Sequence, residues 1–133
     1  MNNEQAVSKQ RKHIGDLHPE VKDWISYCMF VKDEVKTLNL RLGEIIGKYT
    51  DHGVQAQVEH FQNQFIRQNE ASDELLHDLH AAEHIFSEIA QSNPAAAHVL
   101  FEDHVELRDK MQTHTQIFES LRHEFQLFLA KYM

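Results

Sequence analysis

Cysteine, proline and glycine are scarce in this chain, which has one Cys, two Pro and four Gly among 133 residues. So few Gly and Pro permit few turns, and the secondary-structure elements must therefore be long. A lone cysteine excludes a disulfide framework and a zinc site built from thiolates. No stretch approaches the roughly 20 apolar residues of a membrane span, and the polar residues 1–13 lack the apolar core of a signal peptide. We therefore expect a cytoplasmic location.

Positive charge is also scarce, with 13 Lys and Arg against 21 Asp and Glu and a formal net charge of −8. Residues 51–91 contain eight acidic residues and a single fixed cation, Arg67. Nucleic acids and anionic membranes are recognised by clustered Lys and Arg, so neither is an expected partner. The chain has no Gly-rich phosphate loop, no Gly-x-Ser-x-Gly elbow and no His-Glu-x-x-His run, and we expect no enzymatic activity.

The chain does contain a strict repeat of apolar residues at alternating spacings of three and four. The repeat runs from Val21 to Tyr49, from Val54 to Ile89 and from Ala97 to Tyr132. This heptad spacing predicts an all-α fold, an antiparallel up-down bundle of three long helices with coiled-coil-like packing. The predicted helices are 19–49, 54–91 and 94–132.

The first residues stand apart from this bundle in the prediction. Residues 1–18 form an N-terminal segment, either flexible or a fourth short helix, ahead of a single helical-bundle domain at 19–133. Pro19 is typical of a first helical turn and marks the expected start of the first long helix. The residues that extend the apolar repeat into the N-terminal segment are Val7, Ile14 and Leu17.

The middle helix has one possible break. The sequence Ser-Asp-Glu at residues 72–74 resembles a helix cap, which would divide the helix near residues 69–72 and give four helices. Phe65 and Leu75 nevertheless keep the same register across this stretch, and no Gly or Pro interrupts it. We favour a continuous helix.

Four polar residues occupy positions in the apolar repeat: Gln68, Ser72, His104 and His114. Hairpin turns near residues 52 and 93 would place Gln68, Ser72 and His114 at one level, as a buried polar layer. An unpaired polar group there would cost about 1 to 3 kcal/mol, so we expect His114 to form a hydrogen bond with Ser72 or Gln68. Such a layer is typical of helical bundles that specify their register at some cost in stability. The same turns place His104 level with Trp24.

Histidine is the compositional excess, with eleven residues. Spacings of three and four place His77, His80 and His84 on one helix face, where imidazoles can bind zinc, nickel or copper. That face lies outside the apolar repeat, so we favour a solvated surface and expect no metal or other cofactor. The candidate metal ligands, if there are any, are His77, His80, His84 and His104.

Part of this histidine pattern forms a series along the chain: His60-x3-Gln64, His80-x3-His84 and His104-x4-Asp109. The series resembles the hemerythrin ligand series, which would imply a di-iron site within a helical bundle. A glutamine stands where that family has a bridging glutamate, and the histidine ligand of its first helix has no clear counterpart. The site would also require the middle helix to break near residue 70.

Apolar residues outside the repeat indicate an interaction surface. On a rod of three helices they leave room for a fourth, supplied by the N-terminal segment, a second copy or another protein's amphipathic helix. We therefore expect a non-enzymatic protein that acts by protein–protein contact as adaptor, scaffold or regulator, with a homodimer favoured. The alternative is a histidine-based metal-binding or pH-responsive bundle. The candidate interface residues are Met29, Phe30, Leu40, Ile66, Ile85, Ile117 and Leu127.

Overall fold

The computed structural model describes residues 3–90 and 94–133, with side chains over 17–88 and 102–133. It consists of three helices: α1 (Asn3–Ile46), α2 (His52–Ala90) and α3 (Pro94–Tyr132). No strand occurs in the described residues, and the helices pack against one another. The predicted all-α three-helix bundle is confirmed. None of the described helices has a stretch that is apolar enough to cross a bilayer.

Contacts between side chains give the direction of each helix. Phe61, near the start of α2, lies against Phe128, near the end of α3, with ring centroids 5.0 Å apart. Tyr49 follows the end of α1, and its hydroxyl donates a hydrogen bond of 2.8 Å to the carbonyl oxygen of Tyr132 at the end of α3. The first and third helices therefore run in the same direction and α2 runs antiparallel to both, in the predicted up-down-up order.

The N-terminal boundary differs from the prediction. α1 begins at Asn3 and continues through Pro19, so the segment ahead of residue 19 is part of one long helix and not a separate short one. Proline inside a helix removes a backbone hydrogen bond and costs about 3 kcal/mol. Packing on both sides of this position offsets that cost, because Leu17 and Val21 are buried and the His18 ring stacks on Phe86 of α2 at 4.9 Å. The side chains of Val7 and Ile14 lie outside the described residues.

The helix boundaries at the turn between α1 and α2 also differ by a few residues from the predicted ones. α1 ends at Ile46 rather than near residue 49, and α2 begins at His52 rather than at residue 54. Asp51 explains the earlier start: its Oδ1 accepts a hydrogen bond of 3.4 Å from the Gly53 amide, the N-cap arrangement that satisfies a free donor of the first turn.

α2 is continuous from His52 to Ala90, so the prediction of an unbroken middle helix is confirmed.

The core of the bundle has two parts. One part is rich in phenylalanine, with Phe61, Phe65 and Phe125 mutually within 6.1 Å by ring centroids. The other part lies towards the opposite end of the bundle and is mainly aliphatic. Its buried members are Leu17, Val21, Cys28, Leu75, Leu79, Ala82, Phe86, Leu107 and Met111.

Candidate functional site

A polar layer separates the two apolar parts of the core. Gln68 is 6% exposed, Ser72 is fully buried and His114 is 4% exposed. The Ser72 hydroxyl and His114 Nε2 are 2.9 Å apart and share a hydrogen bond, the pairing expected from the sequence. The ring of Tyr27 on α1 and the His114 ring are nearly perpendicular, with centroids 6.3 Å apart. All three helices therefore contribute to the surroundings of this imidazole.

Burial determines the protonation of the polar layer. Loss of hydration lowers the pKa of His114 below its ordinary value of 6.5, because the charged imidazolium is disfavoured in an apolar interior. Gln68 contrasts with His114, since its Oε1 is buried and has no hydrogen-bond partner among the described residues. One member of the layer is thus satisfied by a neighbour, while another retains a free acceptor.

A second polar cluster lies between α1 and α3, around His104. The imidazole is 2% exposed, and its Nε2 donates a hydrogen bond of 2.7 Å to Glu20 Oε1. Arg108 donates to the same oxygen from Nη2 at 2.7 Å and from Nε at 3.1 Å. Trp24 stacks on the His104 ring with centroids 4.8 Å apart. His104 therefore lies at the level of Trp24, as predicted, and the structure adds the Glu20 carboxylate and the Arg108 guanidinium to its surroundings.

The electrostatics of this cluster favour an ionised carboxylate. Burial by itself would raise the pKa of Glu20, but the hydrogen bonds and charges of Arg108 and His104 outweigh it and leave this pKa lowered. Sequence reasoning did not identify Glu20 or Arg108. Their level in the bundle follows from the helical register, whereas the flanks on which α1 and α3 face each other depend on how the helices are rotated about their axes. His104 Nδ1 is buried without a hydrogen-bond partner in the described part of the chain.

The histidine-rich face of α2 points outwards. His77, His80 and His84 are exposed, and two of them lie beside carboxylates of their own helix. His80 Nδ1 is 3.1 Å from Glu83 Oε1, and His84 Nε2 is 3.4 Å from Glu88 Oε1. Over residues 17–88 and 102–133, no three histidine, cysteine or acidic side chains converge in a group that could hold a metal ion.

The other positions of the hemerythrin-like pattern are also separated. His60 and His80 lie on one unbroken helix, and 20 residues of helix span about 30 Å. His60 Nε2 lies 3.2 Å from Oε1 of Glu124 on α3, while His104 faces α1. The resemblance therefore does not correspond to a single site in the described structure.

The candidate interface residues fall into two groups. Ile85 is half-buried and packs against the aliphatic part of the core, so it belongs in part to the bundle itself. Phe30 is partly covered, because the Arg122 guanidinium lies over its ring at 5.7 Å. The remaining residues have large exposed fractions. These are Met29 at 56%, Leu40 at 74%, Ile66 at 56%, Ile117 at 47% and Leu127 at 60%.

Three openings follow one another along the face between α2 and α3. The middle one has a volume of about 610 Å³ and reaches from Arg67 to Asp78, with Gln68 and Ile117 among its lining residues. The second, of about 230 Å³, shares Asp78 with it and continues to Ile85. The third, of about 470 Å³, lies near the start of α2 and includes Leu127. We call the openings of about 610 Å³ and about 230 Å³ together the α2–α3 groove.

A further opening of about 510 Å³ lies between α1 and α3, beside Glu20, Trp24 and Arg108. The α2–α3 groove is therefore one of several openings, and it differs from this one by combining apolar residues with the unsatisfied amide of the polar layer.

Comparison with known proteins adds no relationship, since no family model, curated protein or solved structure matches this chain.

Proposed function

We propose that this chain is a cytoplasmic, non-enzymatic helical-bundle protein that acts by protein–protein contact, as an adaptor, scaffold or regulator. The observation that carries the proposal is the open face between α2 and α3, which three helices leave uncovered while their core is already packed. Ile117 and Leu127 are exposed there, at 47% and 60%. Apolar side chains in a groove between helices are the usual contact for a further amphipathic helix.

Self-association is one form that this contact can take. A symmetric homodimer is the commonest closed assembly of soluble proteins, and in it the same surface of each copy would be covered. Native mass spectrometry of untagged protein distinguishes the forms, because a dimer has twice the 15.6 kDa mass of one chain. The same spectrum tests the metal-binding alternative, which requires a stoichiometric bound metal.

A photo-crosslinking amino acid tests the proposal inside cells. Placed at Ile117 in the groove, it should give a discrete adduct with a partner protein or a second copy, while the same residue at Asn39 on α1 should give none. Both positions are exposed. A metal-loaded monomer without an adduct at Ile117 would contradict the proposal.

A pH-responsive bundle is a second candidate, and it is favoured by the polar layer. His114 is buried between two apolar clusters and its pKa is lowered by burial, so protonation would place a charge in the middle of the core. Acidification should therefore destabilise the folded chain.

A further inference from the structure

The α2–α3 groove is strongly acidic. Six acidic side chains line it against two basic ones. One of the two cations, Lys110, already lies near carboxylates, 3.3 Å from Glu106 and 3.8 Å from Asp78. The acidic residues are Glu70, Glu74, Asp78, Asp103, Glu106 and Asp109. A partner surface that covers this groove must therefore supply positive charge.

The floor of the groove is apolar. Leu75 and Leu107 are buried at its base, and Ile117 on its wall is 47% exposed. From Arg67 to Ile85, α2 spans about 27 Å along the groove, which is the length of an α-helix of about 18 residues. An apolar strip of this length between acidic edges is complementary to an amphipathic helix with basic flanks.

The polar layer opens into the same groove. Gln68 lines the groove with only 6% of its surface exposed. Its Oε1 accepts no hydrogen bond from the described residues. A buried carbonyl without a hydrogen bond costs about 1 to 3 kcal/mol relative to a paired one. An ammonium or guanidinium group that enters between the helices at this level could donate to it after a rotation of the terminal amide.

We propose that the α2–α3 groove binds a basic amphipathic helix of another protein. The proposal deepens the proposed function and rests on it, because it names the chemistry of the partner. A second copy fits less well, since a symmetric contact would bring one acidic groove against another. The apolar face of the bound helix covers Ile117 and Leu75, while its Lys and Arg side chains lie beside Glu70, Glu74 and Asp109.

Binding of designed peptides tests this proposal. The probe is a fluorescein-labelled helical peptide of about 18 residues, with Leu on one face and Lys and Arg on its flanks. A matched peptide has Glu in place of every Lys and Arg. Fluorescence anisotropy should show saturable binding of the basic peptide to the full chain and none of the acidic peptide. Binding should weaken as salt rises from about 50 to about 300 mM, because salt screens exposed charges.

Variants with equal change in net charge separate a groove from general attraction to an acidic protein. The groove variant combines Glu70→Gln, Glu74→Gln and Asp109→Asn, and it should bind the basic peptide about tenfold more weakly. A control variant removes three exposed carboxylates of α1 and should bind as the unmodified chain does. The control substitutions are Asp23→Asn, Asp33→Asn and Glu44→Gln. Equal weakening in the two variants would overturn the proposal.

The apolar contact has its own pair of variants. Ile117→Gln should weaken peptide binding at least tenfold, whereas Ile46→Gln at the end of α1, where the isoleucine is 48% exposed, should leave it unchanged. Circular dichroism before each titration establishes that the variants remain helical. Absence of saturable binding to the unmodified chain would also overturn the proposal. An adduct at Ile117 in cells together with failure of the basic peptide would reject the basic helix and leave the proposed function standing; loss of both would reject both.

Discussion

Acidification should destabilise this bundle through the single imidazole of His114. Because burial lowers its pKa below 6.5 in the folded chain, the unfolded chain binds a proton more readily than the folded chain does. Protonation of His114 therefore does not reduce the free energy of unfolding above about pH 6.5. The free energy of unfolding falls as the pH drops below that value. Each pH unit below it removes at most about 1.4 kcal/mol from the free energy of unfolding until the folded pKa is reached.

The effect can be isolated by urea unfolding, followed by circular dichroism at pH 7.5 and pH 5.5. His114→Gln keeps a polar group that can reach Ser72 but does not titrate, so its loss of stability between the two pH values should be smaller by up to about 1.4 kcal/mol. This difference corresponds to roughly 5 °C in melting temperature. His77→Gln, at an exposed position of α2, should behave as the unmodified chain does. Equal pH dependence of His114→Gln and the unmodified chain would refute the reasoning.

Three further predictions concern the core. Ser72→Ala removes the hydrogen-bond partner of a buried imidazole and should lower the free energy of unfolding by about 1 to 3 kcal/mol in urea titrations, against a negligible change for the exposed Ser87→Ala. The Cys28 thiol is buried and its pKa is raised to about 11 by burial, so a thiol reagent at pH 8 should react with it only after denaturant is added; fast reaction in buffer would contradict its burial. Phe125→Ala should cost about 3 to 5 kcal/mol by the same titrations, because its ring is fully buried among other rings, and a loss below 1 kcal/mol would show that this part of the core is loosely packed.

The polar layer has a consequence for how the bundle specifies its fold. It lies between a phenylalanine-rich cluster and an aliphatic cluster, and its Ser72–His114 pair forms only when α2 and α3 have one particular register. A shift of one helical turn would leave both groups buried without partners, at a cost of about 1 to 3 kcal/mol each. The layer therefore disfavours slipped bundles in which apolar residues would pack nearly as well.

Much of the fold could be predicted because burial depends on position along a single helix. The 3-4 spacing identifies which residues face the core, and the positions that interrupt it, Gln68, Ser72, His104 and His114, are all buried as that spacing requires. The level of each residue also follows from turn positions and a rise of about 1.5 Å per residue. The pairing of Ser72 with His114 therefore follows from the sequence alone.

Other features depend on the three helices together and could not be read from one stretch of chain. Pro19 is typical of a helix start, yet α1 continues through it because Leu17 and His18 find partners across the bundle. The contact of Glu20 and Arg108 with His104 depends on the rotation of α1 and α3 about their axes, which no local pattern specifies.

The number of long helices, their register and the membership of the core follow from the sequence alone, because each helix carries its own periodic pattern of hydrophobicity. Only the assembled bundle shows where α1 begins, which flanks meet, and that an acidic groove with an apolar floor remains open between α2 and α3. These features arise from packing between helices, where each side chain's surroundings are set by residues distant in the chain.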